Sequence, residues 1–340
     1  MLRRAVVAAI VLSLLLTVFA GVTMRWALAG AFVMPLDFAR VRHAHAHLAY
    51  YGLLVPVAWG AWHARGLSLP SPVTGGVYGV AVLLSIVGFL RAGYAPEAIV
   101  GSTVVGAVWL ASGWRTRARL RDLQDPLGGM LPGLVLCLAC VPFVARFTRA
   151  APALGQAWVA TFLAALLFLV VVPTALGLLE VRRPWPALVG AGTLGSLALG
   201  VWPHPVGYLG LAVYGLLVLP VRWTEHPLHL RATWTALGLG VLAMAAGLLP
   251  NTRPVVIGAI HFTALSVALP SFASLTEVPR DGWGWWVHHG AVGLLCAPIV
   301  WQAFGGGAWT WTAAAVGGSV VGLEVLGLLA WQGLGQRSSA

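Results

Sequence analysis

Ten histidines stand in a chain of 340 residues with only 9% charged side chains, and most are clustered. His43, His45 and His47 fall in Arg42-His-Ala-His-Ala-His-Leu-Ala-Tyr-Tyr-Gly52. His261 lies in Gly258-Ala-Ile-His-Phe-Thr263, and His288 and His289 are adjacent in Trp285-Trp-Val-His-His-Gly290. Neutral imidazole is the commonest protein ligand for iron, copper and zinc. At 100° per residue His43 and His47 sit one turn apart on one helix face, Tyr50 and Tyr51 continue it, and His45 points nearly the other way. Such a helix ligates on one side and hydrogen-bonds on the other. The plainer use of an intramembrane histidine is a hydrogen bond to a neighbouring helix. His261 alone suits either use, whereas the His43–His47 cluster and the His288–His289 pair favour ligation.

Glu324, in Gly322-Leu-Glu-Val-Leu-Gly327, is the second anomaly. A carboxyl group deep in an apolar run costs several kcal/mol if charged, so it pairs, protonates or relays protons. Counting depth along the runs puts Glu324 near His288 and His289 on the inner half of the bilayer. His45 or His47 is at the same outer level as His261, so one shared metal or haem site and two sites at different depths are both compatible with the spacing. A proton path ending at Glu324 and a neutral Glu bridging two helices are equally compatible. His63, His204, His226 and His229 fall at run ends, where interfacial or capping roles are expected. Asp37 with Arg40 and Arg42 reads as a loop ion pair or an anion site beside the cluster. Cys137 and Cys140 have redox-motif spacing but lie in an apolar run as small packing residues. No phosphate-cradling loop, helical zinc-protease spacing or nucleophile elbow is present in the sequence.

The elements that must position these residues are set by composition. The chain is 59% hydrophobic with a mean hydropathy of +0.89, too apolar to wet a soluble surface, and so an all-α polytopic membrane bundle is expected. Twelve candidate spans run over residues 5–23, 42–64, 72–91, 96–114, 128–146, 156–179, 185–202, 206–221, 230–249, 254–275, 283–303 and 309–332, forming a single membrane domain over 1–340 with no soluble domain. The net charge of +11 comes from arginine alone, since lysine is absent. Nucleic acid is thereby not implied; loop arginines facing anionic lipid explain the sign. With both termini cytoplasmic, thirteen arginines (3, 4, 65, 115, 117, 119, 121, 182, 183, 222, 231, 280 and 337) lie inside and seven outside, as in a bacterial-type inner membrane. Arg3 and Arg4 ahead of an apolar run ending Val18-Phe19-Ala20 mimic a signal peptide, but the run continues towards Trp26 and reads as an uncleaved first span. Most of the seventeen tryptophans mark span ends as an interfacial belt, while Trp109 and Trp234 lie deeper.

The segment His45-Ala-His-Leu-Ala-Tyr-Tyr-Gly52 resembles the His-Ala-His signature of haem-copper oxidase subunit I-like proteins and that of NnrS, the membrane protein of the nitric oxide response. His261-Phe-Thr-Ala-Leu-Ser-Val-Ala268, followed by Thr276-Glu-Val-Pro-Arg-Asp-Gly282, is similar to the later histidine-bearing helix of NnrS. His288-His289 is similar to the vicinal copper-ligand pair of the oxidases, although here it follows His261. The resemblance covers about 40 residues. It implies a bundle of about twelve helices holding haem b, copper or both, with His45, His47, His261, His288 and His289 as cofactor-binding candidates, to which the face shared with His47 adds His43. All of these except His43 are also metal-ligand candidates. The work implied is redox handling or sensing of nitric oxide or oxygen, or electron transfer with a redox partner protein; oxygen reduction itself is not implied. The alternative is a proton-coupled metal or small-solute transporter using the same histidines and Glu324, or an assembly protein that passes a cofactor on.

Overall fold

The computed structural model describes residues 2–220, 224–273 and 282–335, with side chains for 10–148, 150–220, 224–271 and 282–327. Among them every regular element is helical: α1 (Leu2–Leu28), α2 (Phe38–Leu48), α3 (Val55–Ala64), α4 (Pro72–Ala92), α5 (Pro96–Gly113), α6 (Met130–Ala139), α7 (Val141–Ala150), α8 (Pro152–Leu166), α9 (Val172–Leu178), α10 (Trp185–Ala198), α11 (Pro205–Val218), α12 (Leu228–Ala245), α13 (Arg253–Phe262), α14 (Leu269–Ala273), α15 (Trp283–Trp301) and α16 (Trp309–Gly335). Where helices abut through a wide or tight turn they form one rod, and each of the twelve predicted runs coincides with a rod or a single helix. Eight are long and apolar enough to cross a membrane, the first being Ile10–Leu28 and the last Trp309–Gly327. The α2–α3 rod and α10, α11 and α12 are the other four, the first because its histidines dilute its hydropathy and the next two because they have 14 residues each. Thr276–Asp281, and Arg222, Arg280 and Arg337 of the arginine count, lie outside the described residues.

Helix starts follow local chemistry. Proline opens α4, α5, α8 and α11, where its missing N–H is an orphan in any case and its fixed φ suits the first turn. Asp37 accepts from the Arg40 amide at 2.9 Å to cap α2, Ser71 accepts from Thr74 at 3.1 Å to cap α4, and His204 accepts from Val206 at 3.3 Å to cap α11. Asp37 is thus a helix cap, not the ion-pair partner expected of it. The Arg40 guanidinium donates to the Arg91 carbonyl at 2.6 Å instead.

Three rods share a device absent from the sequence reading. Pro56, Pro173 and Pro270 stand in the middle of apolar runs, where a proline has no N–H to give and its ring strikes the carbonyl one turn back. The chain answers each time with a wide π-turn just before it, at Ala49–Leu54, Leu167–Val171 and Thr263–Ala268. The residue preceding each proline still bonds five residues back: Val55 to Tyr50, Val172 to Leu167 and Leu269 to Ala264. The next bond in that series would come from the proline and cannot form, which leaves the carbonyls of Tyr51 and Phe168 to find partners elsewhere. Two buried tyrosines supply them. The Tyr78 hydroxyl of α4 donates to Tyr51 O, and the Tyr214 hydroxyl of α11 donates to Phe168 O at 2.6 Å.

The chain divides into two compact units. The first comprises residues 1–111 and 287–340. In it α1 packs along α16, and Gly318 faces Val22 and Arg25 while Gly322 faces Val18 and Val22, so the two run antiparallel. The π-turn of the α2–α3 rod lies on α1 so tightly that a Cβ on Gly52 would stand 2.3 Å from Ser13 Oγ. The second unit, residues 112–286, centres on the second π-turn, whose five residues are all buried, together with Tyr214, Leu211 and Trp234. Cys137 and Cys140 are buried there as free thiols. Arg183 reaches back to the Leu217 and Leu219 carbonyls at 2.8 and 3.0 Å and so satisfies the end of α11. Both units present apolar side chains outward, among them Phe19, Leu83 and Leu323 in the first and Leu209 and Leu239 in the second. Such faces are compatible with lipid as their solvent.

Candidate functional site

α2 presents its histidines to two sides, as the 100° spacing predicts. Facing α4, His43 and His47 flank Phe89: the His47 ring stacks on it at 4.0 Å and the His43 ring at 6.1 Å, both inclined by 28°. Tyr94 closes on His43 edge-on at 5.0 Å, and Tyr51 on His47 at 5.3 Å. Beneath this aromatic sandwich Phe89 packs with Ala44 and Ala98 in a small apolar core. Facing α1, His45 donates its Nδ1–H to the Thr17 carbonyl at 2.9 Å. The helix widens into its π-turn at Ala49, and Tyr51 nonetheless stays on the face of His47.

His47 and His261 occupy the same station. Each lies nine residues before the proline of its rod, Pro56 and Pro270, and each directs Nδ1 to the carbonyl one turn back: His43 O for His47 and Ile257 O for His261, both at 2.8 Å. A carbonyl oxygen only accepts, so the proton of the neutral ring sits on Nδ1 and the lone pair on Nε2. Metal-bound histidines carry this outer-shell bond, which fixes tautomer and orientation and raises ligand basicity. The corresponding station of the third rod is Ala164, nine residues before Pro173. His47 and His261 are half-buried, and they belong to the first and second units respectively.

His288 of α15 meets Glu324 of α16 within the first unit, its Nδ1 standing 2.9 Å from Oε2. The imidazole is 5% and the carboxyl side chain 21% exposed, so the pair is largely shut off. The second carboxyl oxygen, Oε1, is buried with no hydrogen-bond partner among the described residues. His289 inclines to His288 at 65° with ring centres 5.5 Å apart.

The remaining histidines divide. His204 caps α11 and stacks on Trp202 at 4.7 Å, and His63 is exposed at the end of α3. His229, the second residue of α12, is 3% exposed and lies parallel to the Trp285 ring at 5.7 Å in the second unit. Trp109 and Trp234 are core residues of their units. Among the described residues no three His, Cys, Asp or Glu side chains gather into a set that would hold a metal ion. At the positions expected to ligate, each unit by itself holds single oriented rings, and the first also holds one His–Glu pair.

The residue that the sequence reading missed is Arg25. It was counted among loop arginines, yet it is 8% exposed inside the first unit, and only its proximity to the end of an apolar run distinguishes it in sequence. Comparison of the chain with protein-family models, curated proteins and solved structures finds no match.

Proposed function

We propose that this chain is a twelve-span inner-membrane protein with cytoplasmic termini that binds haem b, with Nε2 of His47 in the first unit and Nε2 of His261 in the second each a candidate ligand. Its work is redox handling or sensing of a small diatomic, nitric oxide or oxygen, in exchange with a redox partner protein. The observation that carries the reading is the shared station: two rods, one proline offset, and one Nδ1–H bond that leaves Nε2 to ligate. Haem iron, if bound, would supply one-electron chemistry and a coordination position for a diatomic, and the neutral imidazole of either ring is donor chemistry that suits it. No gathered set of nitrogens for copper stands among the described residues, so the reading is confined to haem. The chain's own contribution is to hold the ring planes, through Phe89 and Tyr51 at His47, and to exclude water with the apolar core beneath. The His288–Glu324 pair is the group that takes up or yields a proton if turnover requires one.

A transporter is the second reading. It is favoured by the π-turns that interrupt three rods, since interrupted helices near mid-membrane serve solute and ion sites in transporters. Reduced-minus-oxidised visible spectra with metal analysis on one detergent-purified sample separate the two. Soret and α/β bands with about one haem or more per chain support the first; a colourless, metal-free protein refutes it and leaves the second.

A further inference from the structure

Arg25 lies on α1 three residues from its end, where an arginine of an ordinary span would extend past Leu28 to the interface. It turns inward instead. Its Nη1 donates to the Gly21 carbonyl one turn back at 2.8 Å, and its Nε is buried with no partner among the described residues. Among those residues no carboxylate is in ion-pair range of it. Guanidinium has five N–H donors and cannot shed its charge, so a single carbonyl leaves it far short of satisfied.

The surroundings are arranged around that head group. Thr17, Gly21 and Arg25 repeat at one-turn intervals on the face of α1 that meets α2. A Cβ on Gly21 would stand 3.0 Å from both Arg25 Nη1 and His45 Cε1, so glycine is what lets the guanidinium and the imidazole converge. His45 is held there by the Thr17 carbonyl, and the Thr17 hydroxyl is itself buried without a partner among the described residues. Gly318 of α16 leaves room beside Arg25 Cδ, where a Cβ would make ordinary contact at 3.6 Å, and Cys296 of α15 lies within reach of the guanidinium's field. Two orphaned donors, a cation and an imidazole thus converge inside the first unit with no carboxylate among the described residues in ion-pair range of the guanidinium.

We propose that Arg25, with Thr17 and His45 beside it, binds a small planar oxyanion of the carboxylate type within the membrane-embedded part of the first unit. The planar fork of guanidinium matches two coplanar oxygens, and the Thr17 hydroxyl supplies a further donor. The oxyanion is either free in solution or the carboxylate of a molecule resident in the protein. The proposal does not depend on haem.

Thermal unfolding of the full chain in detergent, with sodium formate against sodium fluoride at matched ionic strength, tests it. A free site gives a saturable rise in Tm with formate, lost in Arg25→Gln and shifted at least about tenfold to higher formate in Gly21→Ala, which narrows the site and keeps the charge. An occupied site gives no formate response, but solvent extraction then yields about one carboxylate-bearing molecule per chain from wild type, depleted in both variants. Should Arg25→Gln not fold, Gly21→Ala gives the same readout. A formate response unchanged in the variants, or neither a response nor a bound carboxylate in wild type, overturns the proposal.

Discussion

Glu324 and His288 offer the most direct test of how polar groups are held in the first unit. Truncating Glu324 to Ala takes away the acceptor that stands 2.9 Å from a buried imidazole nitrogen. A hydrogen bond to a charged partner contributes about 1.5–3 kcal/mol, and a buried donor left without its acceptor costs about 1–3 kcal/mol. The carboxyl side chain is 21% exposed and one of its oxygens already lacks a partner, which places the pair at the lower end. Glu324→Ala should therefore destabilise the protein by about 2 kcal/mol. Glu324→Gln keeps an acceptor oxygen and should cost about 1 kcal/mol or less. In a double-mutant cycle with His288→Ala the coupling should be about 1–2 kcal/mol, or roughly tenfold in the unfolding equilibrium constant. Reversible denaturant unfolding in mixed micelles, followed by tryptophan fluorescence, measures all four corners. Equal effects of Ala and Gln, or a coupling below about 0.3 kcal/mol, would show that the contact does not hold the two helices and that the reasoning fails.

Three further outcomes follow from the local geometry. Tyr214→Phe should cost about 1–3 kcal/mol in chemical denaturation, because it strands the buried Phe168 carbonyl, whereas Phe in place of an exposed tyrosine such as Tyr94 should be near neutral. Gly52→Ala should destabilise by about 1–3 kcal/mol, since its methyl collides with Ser13, and Ser13→Gly in the same chain should recover most of the loss in a thermal melt. Glu180 has φ of 62°, in the left-handed region, at an exposed turn after α9; Glu180→Gly should raise the melting temperature through a gain of about 1 kcal/mol.

Much of the fold was legible because apolar runs bounded by arginine, proline and glycine are what a bilayer demands of a chain. Depth counting along those runs was enough to place Glu324 near His288. What escaped was everything that depends on departures from a uniform helix. Pro56, Pro173 and Pro270 sit in runs too apolar to read as loops, and a straight 100° wheel carried through Tyr50 and Tyr51 has no way to register the extra residue of a π-turn. Arg25 was hidden for a related reason: near a span end, the outward and inward rotamers of arginine are the same sequence. The burial of His229 escaped because a stacking partner as distant in sequence as Trp285 leaves no local sign. The equivalence of His47 and His261 was available in the sequence as a common distance to proline, and it acquires meaning only once both rings are seen to donate to the carbonyl one turn back.

The measurement that bears most directly on the central claim is the haem content and reduced α-band of His47→Ala, His261→Ala and His45→Ala beside wild type, each purified identically. Wild type and His45→Ala should carry haem with the same band, since the His45 ring faces Gly21 and Arg25 of α1 and does not share the station of the other two, whereas His47→Ala and His261→Ala should each lose haem or shift the band. Haem absent from wild type, or present and spectrally unchanged in both His47→Ala and His261→Ala, would contradict the account.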